Sequence, residues 1–168
     1  MHAATFDSSL SKAAAYAEIH SQLRAVFTDE PSGLANAANT SALLYQALPS
    51  LNWAGFYFLQ AGELVLGPFQ GKVACVRIAM GRGVCGTAAE RRQTLIVRDV
   101  HAFPGHIACD AASRSEIVVP LIKEDRLLGV LDLDSPDLAR FDAADQQGLE
   151  QAAKLLLQAS DLSRLSYP

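Results

Sequence analysis

The stretch Glu116–Pro136, EIVVPLIKEDRLLGVLDLDSP, decides the architecture. Two apolar runs, Glu116 to Ile122 and Leu127 to Asp134, flank the charged tetrapeptide Lys123-Glu124-Asp125-Arg126. This is the pattern of a β-hairpin with a polar turn. On the second strand Leu131 and Leu133 alternate with Asp132 and Asp134, so both acids project to the face away from the leucines. With an odd loop, such as Glu124–Arg126, Glu116 lies opposite Asp134 and diagonal to Asp132. Three carboxylates then crowd one patch. Crowding of this kind is costly unless a cation answers it, and the candidates are a protein Arg or Lys, a metal, or a ligand ammonium. A solvated sheet face is the plain alternative. Against it, these acids sit within apolar strands rather than in turns.

Upstream, WAGFYFL (Trp53–Leu59) has the same period of two. Trp53, Gly55, Tyr57 and Leu59 share one face; Ala54, Phe56 and Phe58 share the other. Trp53 and Tyr57 together form an aromatic wall suited to a methyl or thioether group, although aromatic residues in strands are more often core. Glu63 to Leu66 returns across Ala61-Gly62 as a hairpin partner. Val73 to Met80 reads as a further strand, with Val73, Cys75, Arg77 and Ala79 on one side and Ala74, Val76, Ile78 and Met80 on the apolar side. Cys75 is thereby expected to point away from the core.

Helical periodicity brackets these strands. Ser9 to Phe27 carries a stripe of Tyr16, Ile19, Leu23 and Val26. Leu34 to Leu48 carries Leu34, Ala38, Ser41, Tyr45 and Leu48, and Pro49 stops it. A last helix runs from Ala143 to Leu162, capped by Asp142, with Leu149, Ala152, Leu156 and Ala159 on its stripe. GRGVCG (Gly81–Gly86) makes a tight turn into a short helix from Thr87 to Arg92. Leu95 to Arg98 is a short strand, and Asp99 to Ser115 a long loop, of a length that is usually functional or mobile in a compact domain. The order predicts an α+β fold: one antiparallel sheet, terminal helices on one face and loops covering the other.

The chain has 168 residues, half of them apolar and 19% charged, with a net charge of -4. This suits one domain, residues 1–168, with its own core. Clustered Lys and Arg are missing, so nucleic acid is not an expected partner. No apolar run reaches the length of a membrane span or resembles a signal peptide. The expected compartment is the cytoplasm, where thiols stay reduced.

Three cysteines, Cys75, Cys85 and Cys109, have long spacings and no CxxC pair. A structural zinc site normally shows a close pair, so no resident metal or cofactor is expected. His106 with Cys109 gives one HxxC, which leaves a small zinc protein as a competing reading. Cys85 precedes the short helix, where the positive end of the helix dipole favours a thiolate. These thiols read as a redox relay beside a small-molecule pocket.

The motifs LNWAGFYF, GRGVCG, HIACD, SRSEIVVPL and GVLDLDSP occur in this order with compatible spacing. In this the chain resembles the free methionine-(R)-sulfoxide reductases, which are built on a single GAF domain. The cysteine-bearing motifs separate those enzymes from GAF sensors. The resemblance implies a GAF fold and thioredoxin-dependent reduction of free L-methionine-(R)-sulfoxide. It implies that Cys109 is the attacking thiol and Cys75 the resolving thiol, with Cys85 in the same set and its role open. It implies that Glu116, Asp132 and Asp134 line the pocket, with Trp53 and Tyr57 as its aromatic side. A homodimer is compatible with it. The runner-up is a non-catalytic GAF module that binds a small metabolite.

Overall fold

A computed structural model describes residues 11–105 and 110–162. His106 and Cys109 lie outside the described residues. Helices α1 (Lys12–Val26) and α2 (Gly33–Ala47) come first. Strands β1 (Trp53–Gln60), β2 (Glu63–Gly71) and β3 (Arg77–Ala79) follow, then helix α3 (Gly83–Arg91), strand β4 (Leu95–Val97) and the 3-10 turn Val100–Ala102. Strands β5 (Ser115–Lys123) and β6 (Arg126–Ser135) and helix α4 (Ala143–Ala159) complete the order. Among the described residues the strands form one antiparallel sheet, ordered β3-β2-β1-β6-β5-β4. This is the expected α+β architecture.

Strand alternation sorts the sheet into two layers. Ala54, Phe56, Phe58, Ile117, Val119, Leu121, Leu131 and Leu133 pack beneath α1, α2 and α4. Each of the larger side chains contributes about 1.5–3 kcal/mol by leaving water. The opposite face carries Trp53, Tyr57, Val118 and Val130 toward α3 and the segment before β3.

The central hairpin reaches the expected register by another route. Glu116 pairs with Asp134, and Val118 with Asp132, which places Glu116 diagonal to Asp132. The turn itself, however, is the two-residue Glu124-Asp125, both with positive φ, between paired Lys123 and Arg126. Such a turn matches the twist of the flanking strands. A bulge then offsets the count: Ile122 pairs with Leu127 but Leu121 with Gly129, so Leu128 has no partner of its own. Gly129 is required here, because a Cβ would lie 2.1 Å from the Tyr57 carbonyl oxygen.

Several expectations need correction. On α1, Val26 is 42% exposed and the neighbouring Phe27 is buried in its place. On α2 the buried face is Gly33, Asn36, Ala37, Thr40, Ser41 and Leu44, while Leu34 and Tyr45 face solvent. Close approach to β2 selects small residues there, and the Ser41 hydroxyl donates to the Pro68 carbonyl at 3.0 Å. The strand expected over Val73–Met80 shrinks to Arg77–Ala79, leaving Val73 and Val76 exposed. β2 instead runs on to Gly71 through an irregularity opposite Gly55–Tyr57. Helix α3 starts at Gly83, so Cys85 lies inside its first turn rather than before it. Helix α4 has the expected Asp142 cap, reinforced by a capping box with Asp145, and ends at Ala159.

Candidate active site

The sheet face away from α1, α2 and α4 forms the floor of a cleft. It is narrow, with a cavity volume of about 30 Å³, and opens to solvent at its mouth. Glu116 from β5 and Asp132 and Asp134 from β6 lie on the floor, Trp53 and Tyr57 from β1 on one side, and Cys85 from α3 above them. Lys72, Arg82, Asp110 and Ser113 stand around the rim. The sequence reading had brought together the first six and missed these four. Asp110 adjoins Cys109 in the HIACD motif, which is a usable signal; Lys72 carries none.

Burial governs the acids. Glu116 and Asp132 are each only 6% exposed. Loss of solvent raises both above the ordinary carboxylate range, and their mutual proximity raises Glu116 further. Burial and Asp132 raise Asp134 in the same direction, with the Ser113 hydroxyl partly offsetting this. Asp132 Oδ1 is buried without a hydrogen-bond partner. Such a group is costly to leave open, which marks this floor as a place for a bound cation or proton.

Cys85 behaves differently from the sequence expectation. Its sulfur lies 3.9 Å from Glu116 Oε1, and the side chain is 4% exposed. Burial first, then the charges of Asp132 and Glu116, push its thiol well above the usual value. The helix dipole does not overcome them, so the resting state is a neutral thiol. Cys75 also departs from expectation: it is partly buried and packs against the cleft-side cluster rather than pointing away from the core.

The aromatic wall is real and does a second thing. Trp53 stacks on Tyr57 with centroids 5.9 Å apart and on Phe69 at 5.3 Å. The Trp53 indole N–H donates to the Lys72 carbonyl at 3.2 Å, and the Tyr57 hydroxyl donates to the Cys75 carbonyl at 3.1 Å. The two rings thus hold the backbone of the irregular segment that carries Cys75. From the other side, Lys72 Nζ donates to Asp110 Oδ1 at 3.1 Å, and Asn52 Nδ2 donates to Asp110 Oδ2 at 3.2 Å.

The sheet order, the helical layer and this cleft are those of a GAF domain, and the GAF domain family matches residues 19–159. The free methionine-R-sulfoxide reductase of Escherichia coli is 56% identical over 142 residues, which make up 84% of this chain and 86% of that one. The enzyme of the same name from Saccharomyces cerevisiae is 54% identical over 129 residues, 72% of each chain. The X-ray structure of free methionine-R-sulfoxide reductase from Neisseria meningitidis in complex with its substrate superposes with a TM-score of 0.91 at 49% identity, covering 98% of this chain and 99% of that one. The chain therefore belongs to the free methionine-R-sulfoxide reductase family, a family of oxidoreductases within the GAF fold.

Proposed function

We propose that this protein reduces free L-methionine-(R)-sulfoxide to methionine, with Cys109 as the attacking thiol, Cys75 as the resolving thiol and thioredoxin as the reductant. The observation that carries the reading is the floor of the cleft. Three buried acids beneath an aromatic wall suit an amino acid that keeps its free ammonium. A methionine sulfoxide residue within a protein has no such ammonium, so the patch supplies the preference for the free compound. Trp53 and Tyr57 receive the S-methyl group. No side chain caps the start of α3, which leaves N–H groups of its first turn for the substrate carboxylate.

In the reaction the Cys109 thiolate attacks the sulfoxide sulfur. Glu116 or a neighbouring aspartate, whose burial favours the protonated form, gives its proton to the oxygen as it passes from the sulfoxide sulfur to Cys109. Methionine leaves, and Cys109 becomes a sulfenic acid. The Cys75 thiol attacks that sulfur, a disulfide forms and water departs. Thioredoxin then reduces the disulfide by thiol exchange. The 72–76 segment, held by Trp53 and Tyr57, keeps Cys75 beside the cleft for this step.

The test is NADPH consumption coupled through thioredoxin and its reductase, comparing free L-methionine-(R)-sulfoxide with its N-acetylated form. Turnover of the free compound alone is expected. Turnover of both would break the account of the acid patch, and turnover of neither would leave a metabolite-binding module. Cys75→Ser should still release one equivalent of methionine; failure of that single turnover would reverse the roles of the thiols. The same reading assigns the protein to the cytoplasm and to a homodimer, the latter checked by sedimentation.

A further inference from the structure

We infer that the cleft floor is also a zinc site, formed by the Cys85 thiolate and the carboxylates of Glu116 and Asp132, and that zinc held there blocks reduction. Three donor atoms, one from each of these residues, lie within 4.8 Å of one another. They come from α3, β5 and β6, so the triangle is fixed by three packed elements rather than by a loop. With Zn–S near 2.3 Å and Zn–O of about 2.0–2.2 Å, a tetrahedral ion sets its sulfur and oxygen ligands roughly 3.5 Å apart. The observed Cys85 Sγ to Glu116 Oε1 distance is 3.9 Å, so this pair closes with a movement of a few tenths of an ångström, while the other donor pairs, within 4.8 Å, draw in further.

An independent observation points the same way. Asp132 is buried, and its Oδ1 has no hydrogen-bond partner. A lone pair is thus left open at the cluster. One thiolate with two carboxylates suits zinc, whereas calcium and magnesium take all-oxygen sets. On binding, Cys85 gives its proton to solvent and the sulfur becomes a ligand; no electron is transferred. The fourth position faces the cleft and takes water. The blocking effect rests on the proposed function, because zinc would occupy the acids assigned to the substrate ammonium. The binding itself does not rest on it.

The experiment uses the reduced full-length chain, stripped of metal by a chelator. Cobalt(II) is titrated by absorbance, and zinc by competition with a chromophoric chelator. One cobalt per chain with a thiolate-to-cobalt charge-transfer band is expected. Cys85→Ala should abolish the band, and the near-isosteric Asp132→Asn should weaken zinc at least tenfold even if the cysteine variant fails to fold. Added methionine sulfoxide should weaken the apparent zinc affinity. A band that survives Cys85→Ala and vanishes in Cys109→Ser would overturn the inference, as would unchanged zinc affinity in Asp132→Asn or no band at millimolar cobalt. Zinc binding by a chain that shows no reductase turnover even when metal-free would sink the proposed function only; turnover without zinc binding would sink this inference only.

Discussion

Two buried aspartates in this chain have opposite surroundings. Asp145, at the seam of α1 and α4, is fully buried and fully answered. Its oxygens accept from the Tyr16 hydroxyl at 3.0 Å, from Arg140 Nη1 at 3.1 and 3.2 Å and from the Asp142 amide at 3.0 Å. Lys12 adds a second cation. Asp132, on the other side of the sheet, is nearly as buried but has an oxygen with no partner. In sequence Asp132 sits among the apolar residues of a strand and Asp145 among alanines and glutamines near a helix start. Burial alone therefore does not mark function; a buried charge left open does. On the helix side the buried carboxylate is satisfied, although the Asn36 side-chain oxygen on α2 is also buried without a partner. The cleft side leaves an oxygen of a buried acid unanswered.

The comparison can be broken most sharply at Asp145. Asp145→Ala leaves Arg140 and Tyr16 buried without their acceptor and removes the N3 partner of the α4 cap. A loss of about 3–5 kcal/mol is expected in denaturant unfolding, with reductase turnover per folded molecule unchanged. If activity fell with stability intact, the division between the two aspartates would fail. Asp132→Asn should do the reverse, lowering turnover about 100-fold while raising Tm at neutral pH by several degrees. A destabilised Asp132→Asn would mean that the carboxylate is structural after all.

Titration sharpens the same contrast. Burial raises Glu116, Asp132 and Asp134 above their unfolded values. Between the ordinary carboxylate range and those raised values the folded chain holds protons that the unfolded chain has released. The stability this cluster contributes is present at low pH and lost as pH rises through the raised values. Asp142 has the opposite sign. A hydrogen bond from Lys12 lowers it to about 2, so its contribution is present above the ordinary range and lost as pH falls toward that value. The Tm difference between Asp132→Asn and the natural chain should therefore widen from pH 5 to pH 8, and a flat difference would count against an ionisable floor.

The smallest effect is expected at Tyr57. Tyr57→Phe keeps the ring and loses the hydrogen bond to the Cys75 carbonyl. A cost of about 1 kcal/mol is expected, together with a few-fold slower disulfide formation after an unchanged first turnover. An equal slowing of the first turnover would place the hydroxyl in substrate binding instead.

Much of this was legible in the chain. The alternation in GVLDLDSP placed two acids on one face and two leucines on the other, and Glu116 did fall opposite Asp134. The strong period of WAGFYFL sorted Trp53 and Tyr57 from Phe56 and Phe58 as observed. What failed was governed by tertiary contact. The buried face of α2 is made of small residues because a strand lies close, and hydropathy ranks Leu34 and Tyr45 above Ala37 and Ser41. The alternation of Val73–Met80 was followed as a strand, although the backbone at Cys75 is held by the Tyr57 side chain and the ladder with β2 begins only at Val76. Cys85 was assigned a thiolate from helix position alone, which ignored the acids that only the folded sheet brings beneath it.

The bulge at Leu128 has a consequence for how this chain can vary. Two residues per repeat makes a strand behave like text with a reading frame, and a one-residue slip would normally exchange Asp132 and Asp134 with the leucines beside them. Here one surplus residue is already stored between the turn and the site. Losing the codon for Leu128 would straighten the hairpin end and leave Glu116 facing Asp134. The same loss between Leu131 and Asp134 would turn part of the acid patch into the helix-side core. Length changes are thus tolerable near the turn and prohibited a few residues further on.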